Sequence, residues 1–181
     1  MQKEVMLLTG AGQIGMAIAR RMGYGMKIVV GDKRIENAQA VADTMNRAGF
    51  DVLPVEMDLS SRTSILKLID TAQQYGEIAM LVNAAGVSPS QASVETILKV
   101  DLYGTAVLLE EVGKVIRQGG TGVTVSSQSG HRLPALGAET DELLACTPTE
   151  RLLELDVLQP QQIRDTLHAY QLAKRCNVTV S

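Results

Sequence analysis

The 181-residue sequence contains no tryptophan, one phenylalanine and four tyrosines, so any core it builds must be aliphatic. Only two cysteines are present, Cys146 and Cys176, 30 residues apart and without metal-ligand spacing around them. That excludes a disulfide framework and a zinc module, and both read as reduced, partly buried thiols. An excess of positive charge is also missing. The 17 Lys and Arg stand against 20 Asp and Glu, a net charge of −3, which argues against a nucleic-acid partner. No apolar run approaches the roughly 20 residues that span a bilayer, and the opening segment through Leu8 is too briefly apolar for a secretory signal. No membrane partner is therefore expected and a cytoplasmic setting is the default. The sequon at Asn177-Val178-Thr179 is accordingly read as unmodified.

What is present is a chain 45% hydrophobic and 20% charged, apolar enough to offset its ordering entropy with a core. Its length suits a single domain, taken as residues 1–181. Short apolar runs at Val5–Leu8, Lys27–Gly31, Val52–Met57, Ile78–Val82 and Gly122–Val125 read as strands. Between them lie helical patterns. The first runs from about Ile14 to Met22 and is stopped by Gly23 and Gly25; the second carries Ile35, Ala38, Val41, Ala42 and Met45 before Gly49. A third has Ile65, Leu68, Ile69 and Ala72 behind a cap at Ser60 or Ser61, and a long fourth runs from Val94 to about Ile116. Strands that are continuously apolar and separated by helices predict a Rossmann-like α/β fold, a doubly wound parallel sheet in a three-layer α/β/α arrangement.

The alternation stops after Gly130. Residues 131–160 read as a helical insertion, with a capping box at Thr147-Pro148-Thr149-Glu150 ahead of Leu152, Leu153, Leu155 and Leu158. Pro160 is expected to open a last helix through Ile163, Leu167, Tyr170 and Lys174.

Gly10-Ala11-Gly12-Gln13-Ile14-Gly15 fits the dinucleotide pattern G-x-G-x-x-G, between a predicted strand and a predicted helix. Glycine permits positive φ, close approach of backbone to a pyrophosphate, and tight packing of helix on strand. The helix that follows points its N-terminal N–H groups at the phosphates. Asp32 ends the next strand, 22 residues after Gly10, where a carboxylate accepts hydrogen bonds from ribose hydroxyls and repels a 2′-phosphate. NAD is therefore favoured, with NADP as the alternative because Lys33 and Arg34 follow.

Together with three further segments, that turn resembles the short-chain dehydrogenase/reductase family. Thr9–Gly15 is similar to the family's opening T-G-x-x-x-G-x-G, one residue shorter, and Asn83-Ala84-Ala85-Gly86 to its N-N-A-G. Ser126–Gly130 is similar to S-S-x-x-G, and Tyr170-Gln171-Leu172-Ala173-Lys174 matches Y-x-x-x-K. The resemblance implies an NAD(P)-dependent oxidoreductase acting on a secondary alcohol or ketone of carbonyl or hydroxysteroid type. It implies Tyr170 as general acid/base, Lys174 as its partner and a ligand of the nicotinamide ribose, and Ser127 as the group that polarises the substrate. It puts Asp58, with Leu59 beside it, at the adenine, and Asn83, Ala84, Ala85 and Gly86 at the adenosine ribose. A dimer or tetramer is the assembly it suggests.

Tyr170 and Lys174 make chemical sense without the family. Four apart on a helix they share a face, and an ammonium beside a phenol draws the phenol's pKa toward neutrality. Ser126 and Ser129 read as strand-end hydrogen-bonders, and His131 and His168 as loop or surface residues. The resemblance is incomplete in three ways. Asp101 stands in Val100-Asp101-Leu102-Tyr103-Gly104 where the family has Asn, and Ser127 precedes Tyr170 by 43 residues, which is long. No segment follows that could be the family's later strands and substrate loop, so a truncated or proteolysed product, or an interrupted gene, is expected. The alternative function is a dinucleotide-binding module or redox sensor without catalysis.

Overall fold

Five strands form: β1 (Val5–Thr9), β2 (Lys27–Asp32), β3 (Asp51–Glu56) and β4 (Ile78–Asn83) around Val, Ile, Leu and Met, and β5 (Thr121–Thr124) with Val123 alone. In the computed structural model, which describes residues 3–179, all five pair in parallel in the order β3-β2-β1-β4-β5. The order reverses between β1 and β4, the switch point at which open sheets of this kind bind ligands beyond the carboxyl ends of their strands.

Residues up to 85 together with 110–125 form one compact unit, and 86–109 together with the residues from 126 on form a second. The first holds the sheet. Both faces of β1 are buried because helices cover both. Met6, Leu8, Ile28, Val30, Val52 and Val82 line one face, packed against Ala19 of α1 (Gln13–Met22) and Ala38, Val41, Ala42 and Met45 of α2 (Ile35–Arg47). On the opposite face α3 (Arg62–Gln73) comes so near that a Cβ on Gly31 would lie 2.9 Å from Leu68 Cδ2. Of the two serines able to cap α3, Ser61 does so, its Oγ accepting the Ser64 N–H, while Ser60 turns to Asp58. The outer strands differ. β3 carries Asp51, Pro54 and Glu56, whereas β5 is Thr-Gly-Val-Thr with Val123 50% exposed.

The second unit is helical. α4 (Val94–Ile97), capped by Ser93, passes without a break into a π-helical segment, Leu98–Gly104, and then into α5 (Thr105–Gly113), where the first unit's chain resumes. The expected single long helix is thus interrupted by wider turns and ends at Gly113 rather than near Ile116. After α6 (Gln128–His131) and α7 (Ala138–Cys146) come two 3-10 turns, Thr149–Glu154 and Asp156–Leu158, and finally α8 (Thr166–Thr179).

Two expectations are corrected here. The capping box does not form: Pro148, with ψ 137°, precedes a 3-10 turn that has no side-chain cap. The last helix begins at Thr166, not Pro160, because Asp165 Oδ1 accepts the His168 N–H at 2.8 Å, an N-terminal cap missed in the sequence. The segment read as an insertion is helical as expected, and it supplies core. Leu133, Leu144, Leu152 and Leu158 are buried with Ile97, Leu102, Ala169, Leu172 and Cys176. α8 extends through Thr179; Val180 and Ser181 lie outside the described residues. Among the described residues no helix is long and apolar enough to cross a membrane.

Candidate functional site

In the first unit three loops meet at the carboxyl ends of β1, β2 and β4. Gly10 leaves β1 at φ +87°, and a Cβ there would stand 2.6 Å from the Ala85 backbone N, so only glycine lets the two loops touch. Gly15 has its own reason, since a Cβ would lie 2.6 Å from the Gly10 carbonyl as α1 is drawn against β1. Gly12 differs: nothing lies within 4 Å of the position its Cβ would take. It is the N-cap residue of α1, whose first turn has no side-chain cap and no acidic residue. Gln13 and Ile14 follow in that first turn, both exposed. An open glycine next to free helix N–H groups suits an anionic pyrophosphate, so these residues fit a dinucleotide.

Side chains fix the loops around this turn. Asp32 Oδ2 accepts the Ala11 N–H at 2.9 Å, and its Oδ1 accepts the Arg34 N–H at 3.0 Å and the Asn37 amide at 3.3 Å. Thr9 Oγ1 donates to Asn83 Oδ1 at 2.7 Å, and the Ala84 N–H donates to the Thr9 carbonyl at 2.9 Å, joining β1 to β4 at the switch point. Lys33 pairs with Asp58 at 2.9 Å. Burial raises the Asp58 carboxyl, but hydrogen bonds from Ser60 and the Lys33 charge outweigh it and hold the group below the usual carboxylate range. Leu59 is buried.

The second unit brings Tyr170 and Lys174 together on α8, with the Lys174 Nζ 5.5 Å from the Tyr170 ring centroid. Tyr170 is half-buried; Lys174 is buried, as is Asp101, which faces it from the π segment with Oδ2 at 3.9 Å. Burial pulls Lys174 below the ordinary lysine value, against the attraction of Asp101. It pushes Asp101 up, against Lys174 and the Val87 N–H, which donates to Asp101 Oδ1 at 2.8 Å. Gly86, expected at the nucleotide, has a packing reason of its own here: a Cβ would meet Asp101 Oδ1 at 3.1 Å and Lys174 Nζ at 3.4 Å. The arrangement puts a half-buried phenol hydroxyl and a buried amine side by side on one helix face.

Ser127 is the N-cap residue of α6, its Oγ accepting the Ser129 N–H at 3.2 Å, which leaves its hydroxyl proton to donate elsewhere. Ser126 acts as the structural hydrogen-bonder expected of it and donates to the Lys174 carbonyl at 2.8 Å. Gly130 completes that contact, since a Cβ would lie 2.8 Å from the Arg175 N. One contributor has no sequence signal. Asn177, with its amide turned to suit both acceptors, donates to the Asp101 carbonyl at 2.9 Å and the Ala173 carbonyl at 3.1 Å, tying the π segment to α8. The same residue opens the sequon, and it is buried. His168 Nδ1 accepts the Arg164 N–H, a local role in keeping with expectation. Cys146 is exposed rather than partly buried, while burial pushes the Cys176 thiol up to about 12.

Residues 4–138 match the model of the family described as short chain dehydrogenase. The chain belongs to the short-chain dehydrogenase/reductase family. The match takes in the glycine-rich turn, Asp32, Asn83–Gly86 and Ser127, and stops before α8. A short-chain dehydrogenase/reductase of Alternaria brassicicola is 36% identical over 178 residues, 98% of this chain and 65% of its own length. Carbonyl reductase [NADPH] 1 of mouse is 28% identical over 136 residues, 69% of this chain and 49% of its own length. This member of the family therefore spans between about half and two thirds of those relatives. A Burkholderia phymatum short-chain dehydrogenase/reductase solved with NAD superposes with TM-score 0.71, at 21% identity, over 99% of this chain and 58% of that one, a likeness of fold.

Proposed function

We propose that this family member moves hydride between NAD(H) and a secondary alcohol or ketone, with Tyr170 as its general acid/base. The observation that carries the reading is the buried Lys174 ammonium beside the Tyr170 ring on one face of α8. The bound nicotinamide supplies or accepts the hydride. Reduction of a ketone also needs a proton at the developing alkoxide oxygen. Tyr170 gives its phenolic proton there, the adjacent Lys174 stabilises the phenolate left behind, and Ser127 donates a hydrogen bond to the same oxygen. Oxidation of the alcohol runs these steps backwards, with phenolate as base.

Gly10, Gly12, Gln13, Ile14 and Gly15 hold the pyrophosphate, Asp32 a ribose, Asp58 and Leu59 the adenine side, and Asn83, Ala84, Ala85 and Gly86 the adenosine ribose side; Tyr170 and Lys174 complete the set at the nicotinamide ribose. Named relatives and neighbours support the cofactor class: the mouse relative is an NADPH carbonyl reductase and the Burkholderia structure holds NAD. Preference for NAD is supported by the Asp32 carboxylate at the end of β2 and by Lys33, whose ammonium is paired with Asp58.

A second reading, a nucleotide-binding sensor without turnover, is favoured by one observation, Asp101 in place of the family's Asn. The two are separated by adding NADH or NADPH and a panel of ketones to the purified chain. Cofactor-induced stabilisation with turnover supports the enzyme, and stabilisation without turnover supports the sensor. If neither cofactor raises Tm both readings fail, because a ligand bound to the native state must stabilise it.

A further inference from the structure

We propose that Asp101 is a positioning residue: from the π segment it supplies the buried countercharge that keeps Lys174 an ammonium ion, and thereby sets the pH range over which Tyr170 exchanges its proton. The second half rests on the oxidoreductase reading; the first does not. The Asp101 side chain is 0% exposed and that of Lys174 6%, so their charges face each other with little solvent between them. Their 3.9 Å separation is longer than a hydrogen bond, and the interaction is chiefly Coulombic.

The two carboxylate oxygens have different tasks. Oδ1 accepts the Val87 N–H at 2.8 Å, a bond that an amide oxygen makes equally well. Oδ2 is buried, has no hydrogen-bond partner among the described residues, and is the oxygen turned to Lys174. Asparagine here would keep the first contact and replace the second by an uncharged group. What Asp adds is therefore a charge at one atom, aimed at one lysine. Both residues are held in register, Asp101 through its own carbonyl by Asn177 and Lys174 through its carbonyl by Ser126, with no side chain on Gly86 to part them.

Other charges on the elements packed against α8 are engaged elsewhere or, like Glu139 and Glu142 of α7, exposed. Asp141 of α7 pairs with Arg175 at 2.7 Å, Glu95 of α4 with Lys99 at 2.9 Å, and Glu150 lies against the Tyr103 hydroxyl. His131, at the end of α6, is exposed, and Tyr170 is the titratable group facing Lys174 from its own helix. Burial alone favours neutral forms of both partners, and each opposes that tendency in the other.

The test is an NMR titration of the Lys174 Nζ in the full chain, its signal identified with Lys174→Arg, repeated in Asp101→Asn. The substitution should lower the Lys174 midpoint by roughly 1–3 pH units, the range for loss of an opposite charge at this distance. An unchanged midpoint overturns the proposal. Should Asp101→Asn not fold, Lys174→Met must raise the Asp101 carboxyl midpoint, and an unmoved carboxyl overturns the proposal equally. In ketone reduction the alkaline limb of the pH–rate profile should move to lower pH in Asp101→Asn, which lost packing alone would not produce. If the lysine midpoint shifts but neither protein turns over, the oxidoreductase reading and the Tyr170 half of the proposal fail, while Asp101 as the countercharge of Lys174 stands.

Discussion

The two units carry candidate functional residues made of different material. In the first, the proposed nucleotide site is built from backbone: Gly10 and Gly15 let loops and helix close on one another, and Gly12 leaves a helix N-terminus open. In the second, the groups are side chains, and the important ones are buried charges, Lys174 and Asp101. Backbone N–H groups do not titrate, so a grip made of them is indifferent to pH. A buried ammonium and carboxylate hold their charge only in each other's presence. Binding should therefore be robust where chemistry is delicate.

The largest test of that contrast is Tyr170→Phe. Removing the phenolic proton should cost roughly 10²–10⁴-fold in turnover and leave the cofactor-induced rise in Tm unchanged. Undiminished turnover would remove Tyr170 from the mechanism.

Within the first unit, Gly10→Ala and Gly12→Ala separate architecture from recognition. The former forces a Cβ against Ala85 at φ +87° and should destabilise the protein by about 1–3 kcal/mol in chemical denaturation. The latter meets no neighbour and should leave stability alone while abolishing the Tm rise with NADH. A Gly12→Ala protein that still responds to NADH would show that the open glycine is not a phosphate site.

Smaller again, Asp32→Ser should raise the NADPH to NADH affinity ratio in fluorescence titrations roughly tenfold, about 1.4 kcal/mol, by removing a charge that repels a 2′-phosphate. A constant ratio would take cofactor preference away from Asp32.

The smallest effect concerns a purely structural charge. Hydrogen bonds from Lys27 and then Lys3 hold the Asp51 carboxyl below its usual value. A depressed folded pKa adds stability above the unfolded value of about 3.9, and that stability is lost as pH falls through the folded one. For a pair this exposed it is under about 1 kcal/mol. Asp51→Asn should accordingly be slightly less stable than the parent near neutral pH, with the difference closing in acid.

Much of the first unit could be read in the sequence because its information is local. Apolar runs, the spacing of Gly10, Gly12 and Gly15, and Asp32 at a strand end all lie within short windows. Tyr170 and Lys174 were legible for the same reason, being one helical turn apart. The π segment was not, because Leu98, Val100 and Leu102 fit an ordinary buried helix, and the contact that holds the widened turn comes from Asn177, 76 residues away. The pairing of Lys33 with Asp58 joins two strand ends that no periodicity connects. At Pro148 the sequence signal was present but misleading: a Ser/Thr-x-x-Glu pattern describes a cap only if the backbone turns into an α-helix, and here it enters a 3-10 turn.

The outer strands of the sheet have a consequence of their own. On β3, Pro54 withholds a donor, and Asp51 and Glu56 put charge along the border, the usual protections against an incoming strand. On β5 no residue is charged and none is proline, and Thr121, Gly122 and Val123 are exposed. The sheet is thus closed to growth on one side and open on the other. Any further strand, from this chain or a second one, is best received beside β5, and crowding of the protein in solution should be felt there before anywhere else on the sheet.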